Sequence, residues 1–365
     1  MKVAVLEYIC GGGLLGEPKT PMAVYRSLYR EGLAMLSALA IDLTRCGHEV
    51  HSCLDQNASA DPLFQRLSMS CPQLRVCPVD IQWQEHWIEV ALQCDRTIVI
   101  VPELHQQLER IVQTLRSAGA TVVASSQRFL QATSDKWETA NHFHESGVCH
   151  PATQSLTQYK LSKSFGKELD GTLPVTLKRR DGAGCAGMMH FVSQRMLLAR
   201  LESPDANELN GEDWIVQQWH VGQSVSMAIM AGDEWTVVGA VEQSIELLPA
   251  ALSSASNTYE YSNVSYLGGS GPLTIVPNES LDRLAIHVRD ALPSGAAGWI
   301  GIDFIIPISM RNENDLIVIE VNPRLTTSYL GYRQWYGHEL SDLLVGNANL
   351  VDWKRAKILE RIEFG

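Results

Sequence analysis

Residues 298–324 read GWIGIDFIIPISMRNENDLIVIEVNPR, which is two apolar runs separated by a short polar stretch. Asp303 interrupts the first run, and Glu320 interrupts the second, with Asn322 just beyond it. Alternate side chains of a strand share one face, so Glu320 and Asn322 should point together, and an antiparallel partner could set Asp303 opposite them. Mg²⁺ takes such hard oxygen ligands when it also binds phosphate. The segment predicts a divalent-metal platform, with a plain hairpin carrying polar caps as the alternative.

A glycine-rich loop lies upstream, between two runs of strand-forming residues. Residues 173–189 read LPVTLKRRDGAGCAGMM, in which Lys178 ends the first run. Three glycines follow, at Gly182, Gly184 and Gly187. A dinucleotide-binding loop should open a helix, whereas strand-forming residues follow this loop. A kinase needs H-R-D and D-F-G motifs, and this sequence has neither. We predict a strand, loop, strand flap whose backbone N–H groups can cover nucleotide phosphates.

A second lysine precedes this loop, in a segment that reads TSDKWETANHFHESGVCHP from Thr133 onward. We expect Thr133 or Ser134 to cap a helix that runs through about Glu145 and stops at Gly147. Lys136 lies in the first turn of that helix. A lone lysine on a helix is usually a solvated charge. The position of Lys136 ahead of the glycine flap favours a functional role.

Taken in order, these segments resemble the ATP-grasp ligases. The resemblance rests on D-K with a later G-V-x-x-P, on the glycine flap, and on D-F-I-I followed by I-E-V-N-P-R. It implies an ATP-grasp fold of the α/β class with an N-terminal Rossmann-like preATP-grasp domain. The residues that would hold the nucleotide phosphates are Lys136, Lys178 and the flap glycines Gly182, Gly184 and Gly187. Those that would hold Mg²⁺, with Mn²⁺ as an alternative ion, are Asp303, Glu320 and Asn322.

The segment 214–227, WIVQQWHVGQSVSM, resembles the hinge of that family, whose backbone contacts the adenine edge of ATP. The hinge residues would be Gln217, Gln218, Trp219 and His220. Many relatives carry an acidic residue just after the hinge glycine for the ribose hydroxyls, whereas Gln223 stands there in this chain. Gln223 is therefore the candidate ribose contact. For the side chains of the hinge, ordinary core packing is the simpler interpretation.

Length and composition suit such an enzyme. The chain has 365 residues, 45% of them hydrophobic, and a formal net charge of -12. That charge opposes binding to nucleic-acid phosphates or anionic lipid, so we expect small-molecule substrates. We also expect a cytoplasmic location, because no apolar run approaches the roughly 20 residues that span a bilayer and Glu7 interrupts the first apolar segment. A homodimer is left open.

Alternating strands and helices predict a parallel α/β layer at the N-terminus. The predicted strands are 2–8, 49–54, 97–102 and 121–124, and the predicted helices are 31–46 and 104–118. We place the preATP-grasp domain at 1–130, the ATP-grasp domain at 131–350 and a tail at 351–365. Within the second domain, the flap subdomain spans about 150–215 and the metal-binding subdomain about 216–345.

We make predictions for two further loops. The stretch GLLGEPKT, which ends at Thr20, approaches a phosphate-binding P-loop, but Pro18 replaces its second glycine and supplies no N–H. We reject a P-loop, although the glycines after the first strand could border the substrate cleft. Residues 253–271, SSASNTYEYSNVSYLGGSG, are predicted to form a mobile loop near the site or a plain solvated insertion.

ATP-grasp ligases convert a carboxylate to an acyl phosphate, which an amine attacks to give an amide, ADP and phosphate. Phosphoryl transfer needs positioning and charge neutralisation more than covalent help. Arg324, which could steady the acyl phosphate, is the catalytic candidate.

Within the family, three segments look like the tyramine-glutamate ligase group of methanofuran-type cofactor synthesis: LEYICGGG at 6–13, REGLAML at 30–36 and NPRLTTSYLGYR at 322–333. That group joins a glutamate γ-carboxylate to an aromatic amine. The implied substrate contacts are Thr326, Thr327, Ser328 and Arg333, although Thr326 or Thr327 could instead cap a helix. Candidate walls for the aromatic ring are Tyr8, Tyr266 and Tyr329.

Two alternatives stay open. The chain could be another amino-acid ligase of the same fold, of the D-alanine-D-alanine or pyrrolysine-biosynthesis kind. It could also be a regulatory protein that binds a nucleotide without turning it over.

Overall fold

The structure is a computed structural model that describes residues 1–15, 22–162, 172–203, 209, 211–249, 261–312, 315–346 and 360–365. Residues 16–21, which include Pro18, lie outside this set, and so do residues 253–260 of the predicted mobile loop.

The N-terminal part is a parallel sheet flanked by helices. Its strands are β1 (Lys2–Glu7), β2 (Glu49–Leu54), β3 (Leu74–Pro78) and β4 (Arg96–Ile100), in the order β3-β2-β1-β4. Its helices are α1 (Met22–Arg45), α2 (Gln56–Ala60), α3 (Pro62–Ser70), α4 (Trp83–Leu92) and α5 (Gln107–Ser117), with a 3-10 turn at Leu104–Gln106. The run Val3 to Leu6 is fully buried, as expected for a central strand covered on both faces.

This layer agrees with the predicted α/β class but not in every element. The predicted strand at 121–124 is reduced to one bridge, between Thr97 and Val122. The guanidinium of Arg116 donates to the carbonyls of Val122, Ala124 and Ser125 and so holds this segment from its other side. The short edge strand β3 and the helix α4 were not predicted.

The described glycines after β1, Gly11, Gly12 and Gly13, do not border the cleft. Gly11, Gly12 and Gly13 are buried in a turn against α4 and Tyr8, and Trp87 Nε1 donates to the carbonyl of Gly11 at 3.0 Å. A Cβ on Gly11 would lie 2.8 Å from the Trp87 ring. The glycines therefore serve close packing against a tryptophan helix, and the expectation that they line the site is wrong.

The rest of the chain is built on an antiparallel sheet. Its described strands are β5 (Thr153–Ser155), β6 (Val175–Arg179), β7 (Met189–Phe191), β8 (Trp214–Gln218), β9 (Gly222–Ala231), β10 (Trp235–Pro249), β11 (Tyr261–Gly271), β12 (Gly298–Pro307), β13 (Ile317–Asn322) and β14 (Ile362–Phe364). The order is β13-β12-β9-β10-β11-β7-β6-β8-β5, and β14 pairs with β11. The accompanying helices are α6 (Gln127–Ser134), α7 (Lys136–Ser146), α8 (Leu156–Ser162), α9 (Gln194–Leu201), α10 (Asn278–Ala291), α11 (Tyr329–Tyr336) and α12 (Leu340–Leu344).

β11 replaces part of the predicted mobile loop. Residues 261–271 pair with β10 and β7 over the length of the strand. Val264 and Tyr266 alternate along it with polar residues and face the cavity described below, which is the period of a strand. The serine and glycine content hid this period, so the loop prediction is wrong for 261–271.

Helix α7 begins one residue later than a cap at Ser134 predicts and two later than a cap at Thr133 predicts. Its N-cap is Asp135, whose carboxylate accepts from the N–H groups of Trp137 and Glu138. Thr133 and Ser134 instead end α6. Gly147 closes α7 in the left-handed conformation, φ +74, as predicted.

The two parts share a core. Leu36, Leu39 and Leu43 of α1 belong to the same buried cluster as Tyr332 and Leu340 of the C-terminal helices. Helices α11 and α12 therefore fasten the N-terminal sheet to the antiparallel sheet, and the space left between the two sheets forms the site.

Candidate functional site

A cavity of about 320 Å³ lies between the N-terminal sheet and the antiparallel sheet. Most of the predicted site residues line it: Lys136, Lys178, Gly182, Gly184, Gln217, Gln218, Trp219, His220, Asp303, Glu320, Asn322, Arg324, Thr326, Thr327 and Ser328. Gly187, Gln223 and Arg333 are not among its lining residues. Segments that are far apart in sequence thus meet around one space.

The acidic pair sits on the hairpin that the alternation predicts. Asp303 of β12 lies directly opposite Glu320 of β13, and an irregularity in register follows at Phe304. Asn322 Nδ2 donates to Asp303 Oδ2 at 3.0 Å, and Gln243 Nε2 donates to Asp303 Oδ1 at 3.3 Å. The amide donors orient one carboxylate, while the other faces the lysines.

The pKa values of Asp303 and Glu320 are shifted in opposite directions. Burial, and then the charge of Glu320, raise the pKa of Asp303. Burial would also raise the pKa of Glu320, but the ammonium groups of Lys136 and Lys178 outweigh it and the pKa lies below its usual value. A divalent cation would favour the ionised form of both carboxylates.

The donor set suits Mg²⁺ bound together with phosphate. Two carboxylates and an amide oxygen are available, and across the described residues no group of three or more His, Cys, Asp and Glu side chains is arranged to hold a metal ion. Mg²⁺ is usually held by one or two carboxylates, with phosphates and water completing its coordination. The hairpin therefore fits an ion that arrives with a phosphorylated ligand.

Two buried lysines converge on Glu320. Lys136 Nζ lies 3.3 Å and Lys178 Nζ 3.8 Å from Glu320 Oε2, and Lys136 Nζ also donates to the carbonyl of Gly182 at 2.5 Å. Burial lowers the pKa of Lys178 to about 8, which the charge of Glu320 partly offsets. Two ammonium groups thus share one carboxylate, and an additional anion would complete their charge balance.

The flap is the predicted strand, loop, strand unit. β6 and β7 pair antiparallel, and the loop turns sharply at Gly184 (φ +61) and Gly187 (φ +71). Hydrogen bonds from Ala186 N to Ala183 O (3.2 Å) and from Met188 N to Cys185 O (3.0 Å) hold the two turns. Glycine adopts positive φ without steric cost, which explains its use in these turns.

The hinge leaves one buried nitrogen without a partner. The backbone N–H of Gln218 donates to the carbonyl of Ala152, and the backbone N–H of Trp219 donates to the carbonyl of Pro174, both at 2.9 Å. His220 Nε2 is buried and has no hydrogen-bond partner within the described part of the chain. Burial lowers the pKa of His220, so the ring is neutral and can donate or accept one bond through that nitrogen.

Gln223 is directed away from the cavity by the pleat of β9. Ser224 and Ser226 line the cavity, whereas Gln223 does not. Alternate residues of a strand face opposite sides, so the ribose contact assigned to Gln223 is not supported by the geometry.

Arg324 lines the cavity, but its guanidinium has a fixed partner. Arg324 Nε lies 3.0 Å from Glu103 Oε1, and its second terminal nitrogen lies 3.0 Å from Glu103 Oε2. Both side chains are largely buried. Such a bidentate pair holds the guanidinium in one orientation, facing the same space as the lysines.

Hydroxyl groups follow Arg324 along the wall of the cavity. Thr326 Oγ1 and Ser328 Oγ are 2.7 Å apart, and Thr327 Oγ1 donates to the hydroxyl of Tyr266 at 3.3 Å. Helix α11 begins at Tyr329 with Ser328 as its N-cap residue. Neither Thr326 nor Thr327 is therefore the helix cap.

Arg333 does not reach the cavity. It donates two hydrogen bonds to buried Asp42 of α1, at 2.7 and 2.5 Å, and Tyr329 donates a third to the same carboxylate at 2.8 Å. Helical turns carry Arg333 to the face of α11 that packs on α1. Its assignment to the substrate is wrong, and it instead joins the two parts of the chain.

We expect Arg333→Met to lower the free energy of unfolding by about 3 kcal/mol, because it leaves Asp42 buried without its cation. The affinity for MgATP should stay unchanged. The control is Arg289→Met, which removes an exposed ion pair with Asp290 and should cost about 1 kcal/mol or less. Urea unfolding measures both. A stable Arg333→Met protein with impaired nucleotide binding would contradict this structural role.

The predicted tyrosine walls are mostly absent. Tyr266 lines the cavity, but Tyr329 is fully buried among α1 and α11, and Tyr8 packs edge-on against Trp83 at 5.6 Å between ring centroids. Aliphatic residues form the apolar wall instead: Ile9, Leu28, Met35, Ile100 and Val101.

Several acidic residues around the cavity were not predicted. Glu7 and Glu31 line it, and Glu103 holds Arg324 from the loop after β4. Glu7 ends β1 and Glu103 follows β4 closely, so the rule that ligands bind beyond the carboxyl ends of parallel strands could have identified both. Glu31 lies on α1, for which no such signal exists.

None of the helices in the described residues is long and apolar enough to cross a membrane.

Comparisons with known proteins agree with this arrangement. The sequence model of the ATP-grasp domain matches residues 133–328, and that of the pre ATP-grasp 3 domain matches residues 59–128. Tyramine–L-glutamate ligase of Methanocaldococcus jannaschii is 22% identical over 165 residues, which are 45% of this chain and 46% of that protein. The match thus spans about half the length of this relative.

Two solved structures show the same fold. An ATP-grasp superfamily protein of Archaeoglobus fulgidus is 20% identical with a TM-score of 0.61, over 99% of this chain and 91% of that chain. The biotin carboxylase domain of Hydrogenobacter thermophilus 2-oxoglutarate carboxylase, solved with MgADP, ADP and bicarbonate, is 13% identical with a TM-score of 0.67, over 96% and 71%. Because the ATP-grasp match alone extends over more than half of the sequence, this chain belongs to the ATP-grasp family of ATP-dependent ligases.

Proposed function

We propose that this chain is an ADP-forming carboxylate-amine ligase that makes an amide bond through an acyl phosphate. The observation that supports it most strongly is the convergence of Lys136 and Lys178 on Glu320, beside Asp303 and Asn322, in one cavity. Two cations and an oxygen-ligand platform in one space match the needs of a magnesium-bound triphosphate.

MgATP would occupy the side of the cavity formed by the hinge, the flap and the hairpin. Lys136 and Lys178 would hold phosphate oxygens, and N–H groups of the flap would cover them. Asp303, Glu320 and Asn322 would hold Mg²⁺, which when bound neutralises charge on the transferred phosphoryl group. At the hinge, the unpartnered Nε2 of His220 is the candidate group for the nucleoside.

The reaction needs no nucleophilic side chain. A carboxylate oxygen of the donor attacks the γ-phosphorus of ATP, the new P–O bond forms, and ADP leaves. The neutral amine then attacks the acyl carbon, the C–O bond to phosphate breaks with the electron pair going to phosphate, and the nitrogen releases its proton to phosphate or water. Arg324, oriented by Glu103, would stabilise the negative charge of the acyl phosphate.

We propose L-glutamate as the donor and an aromatic amine such as tyramine as the acceptor. The proposal rests on the similarity to tyramine–L-glutamate ligase. With Arg333 outside the cavity, Arg324 and the hydroxyl groups of Thr326, Thr327 and Ser328 are the groups left to meet the donor.

The test is ADP release from MgATP across a matrix of donors and amines, with mass spectrometry of the products. We expect ADP, phosphate and a new amide only when glutamate and the aromatic amine are both present. Turnover with D-alanine or lysine derivatives and none with glutamate would keep the ligase chemistry but reject these substrates. Tight MgATP binding without turnover for any pair would favour a regulatory protein.

A further inference from the structure

The cavity is lined by two parts of the chain that offer different groups. The ATP-grasp part contributes Lys136 and Lys178, together with the metal platform. The other part consists of β1, the loop after β4, and α1, and it contributes Glu7. The N-terminal part of the chain contributes five apolar residues to the cavity lining, Ile9, Leu28, Met35, Ile100 and Val101. This second part supplies apolar side chains and a carboxylate, which no step described above uses.

The Glu7 carboxylate is held in place by the backbone. Glu7 is 2% exposed, and its Oε2 accepts from the N–H of Cys10 at 2.7 Å. A Cβ at Gly32 of α1 would lie 2.6 Å from the Glu7 carboxylate. Glycine at this position therefore leaves the space that the carboxylate occupies, and the carboxylate lies directly against α1.

Glu7 has no ion-pair partner within the part of the chain that the structure describes. The charge of Arg324 acts on Glu7 and lowers its pKa, but Arg324 is already paired with Glu103. Burial raises the pKa of Glu7 to about 7. Buried carboxylates are normally paired, because an uncompensated buried charge is costly.

The proposed ligase reaction requires an amine acceptor. On the basis of that proposed function, we propose that Glu7 receives the amino group of the acceptor. This part of the cavity then selects a primary amine that carries an apolar body and no carboxylate beside the amino group. The ammonium supplies the missing charge on binding and loses one proton to water before its nitrogen attacks, and the aliphatic wall covers the body of the molecule. The amine is thereby positioned next to Arg324, where the acyl phosphate would form.

A carboxylate beside the amino group would be excluded by charge. It would face Glu7 and Glu31, which both line the cavity. The two arginines that line the cavity are already paired, Arg324 with Glu103 and Arg179 with Asp181. Like charges placed together in such a site cost several kcal/mol.

Matched acceptors test the selection in the wild-type protein. With MgATP and a fixed donor, we expect kcat/KM for tyramine to exceed that for tyrosine about 100-fold or more, and likewise for phenethylamine over phenylalanine. Each pair differs only in the carboxylate. Equal use of the two members of both pairs would overturn the inference.

One variant of Glu7, compared with a control variant, tests the role of this residue. Glu7→Gln keeps an oxygen that can accept from Cys10 N–H but removes the charge, so we expect KM for tyramine to rise about 30-fold, with a smaller change in kcat. Asp55→Asn is the control, because Asp55 is also a buried carboxylate that accepts a backbone N–H but does not line the cavity. A KM in Glu7→Gln no higher than in the control would contradict the role of Glu7.

Trapping with hydroxylamine separates the two proposals. Hydroxylamine converts an acyl phosphate to a hydroxamate without any amine acceptor, and glutamate, D-alanine and lysine serve as donors. A hydroxamate combined with indifferent acceptor choice would reject the role of Glu7 and leave the ligase standing. No hydroxamate from any donor, and no amide, would reject both. If Glu7→Gln does not fold, the matched acceptors still decide the matter.

Discussion

Replacing Glu320 by glutamine is expected to lower kcat about a thousandfold or more, with the fold retained. Glu320 is both the counter-charge of Lys136 and Lys178 and the candidate metal ligand. A neutral amide of the same shape loses both functions, whereas it preserves the packing. Coupled ADP detection at saturating MgATP, donor and amine measures the loss.

Asp303→Asn is the matched comparison. Asp303 already accepts hydrogen bonds from the amides of Asn322 and Gln243, and burial raises its pKa, so its charge is less firmly held than that of Glu320. We expect a smaller loss of kcat, on the order of tenfold to a hundredfold. A Glu320→Gln enzyme within threefold of wild type would show that the metal platform is assigned wrongly.

Lys178→Met is expected to raise the Kd for MgATP about 30-fold, which corresponds to about 2 kcal/mol for a lost hydrogen bond between charged groups. Methionine occupies a similar volume and needs no hydration, and burial of the Lys178 ammonium is unfavourable, as its pKa of about 8 indicates. Stability should therefore be equal or higher, while affinity falls. Titration calorimetry and thermal unfolding measure the two properties.

Lys160→Met is the control for Lys178, because Lys160 is an exposed lysine on α8 and does not line the cavity. Lys136→Met should weaken MgATP binding as well, and it also removes the hydrogen bond to the carbonyl of Gly182. Unchanged affinity in both the Lys136 and Lys178 variants would remove the proposed nucleotide site.

The sequence is most informative where function depends on local order. The positions of Asp303, Glu320 and Asn322 follow from strand alternation, and the observed register sets Asp303 opposite Glu320. The turn at Gly147 follows from the need for positive φ. Each of these inferences uses residues within one hairpin or one helix end, where short-range geometry decides the outcome.

Long-range pairs could not be predicted. Glu103 and Arg324 are 221 residues apart, and Asp42 and Arg333 are 291 apart. Both arginines follow the same strand, and the helical turns of α11 decide that one faces the cavity and the other faces α1. Composition also misled at β11, where serine and glycine concealed a strand that gains its stability from two neighbouring strands.

In the proposed ligase reaction, a donor carboxylate takes the γ-phosphoryl group of ATP before the amide forms. The most direct test uses glutamate labelled with ¹⁸O in its carboxylates, with tyramine and MgATP, and mass spectrometry of the released phosphate. An acyl phosphate transfers one carboxylate oxygen to phosphate, so we expect one ¹⁸O atom in each phosphate and its loss from the amide. Amide formation with unlabelled phosphate would contradict the acyl-phosphate route.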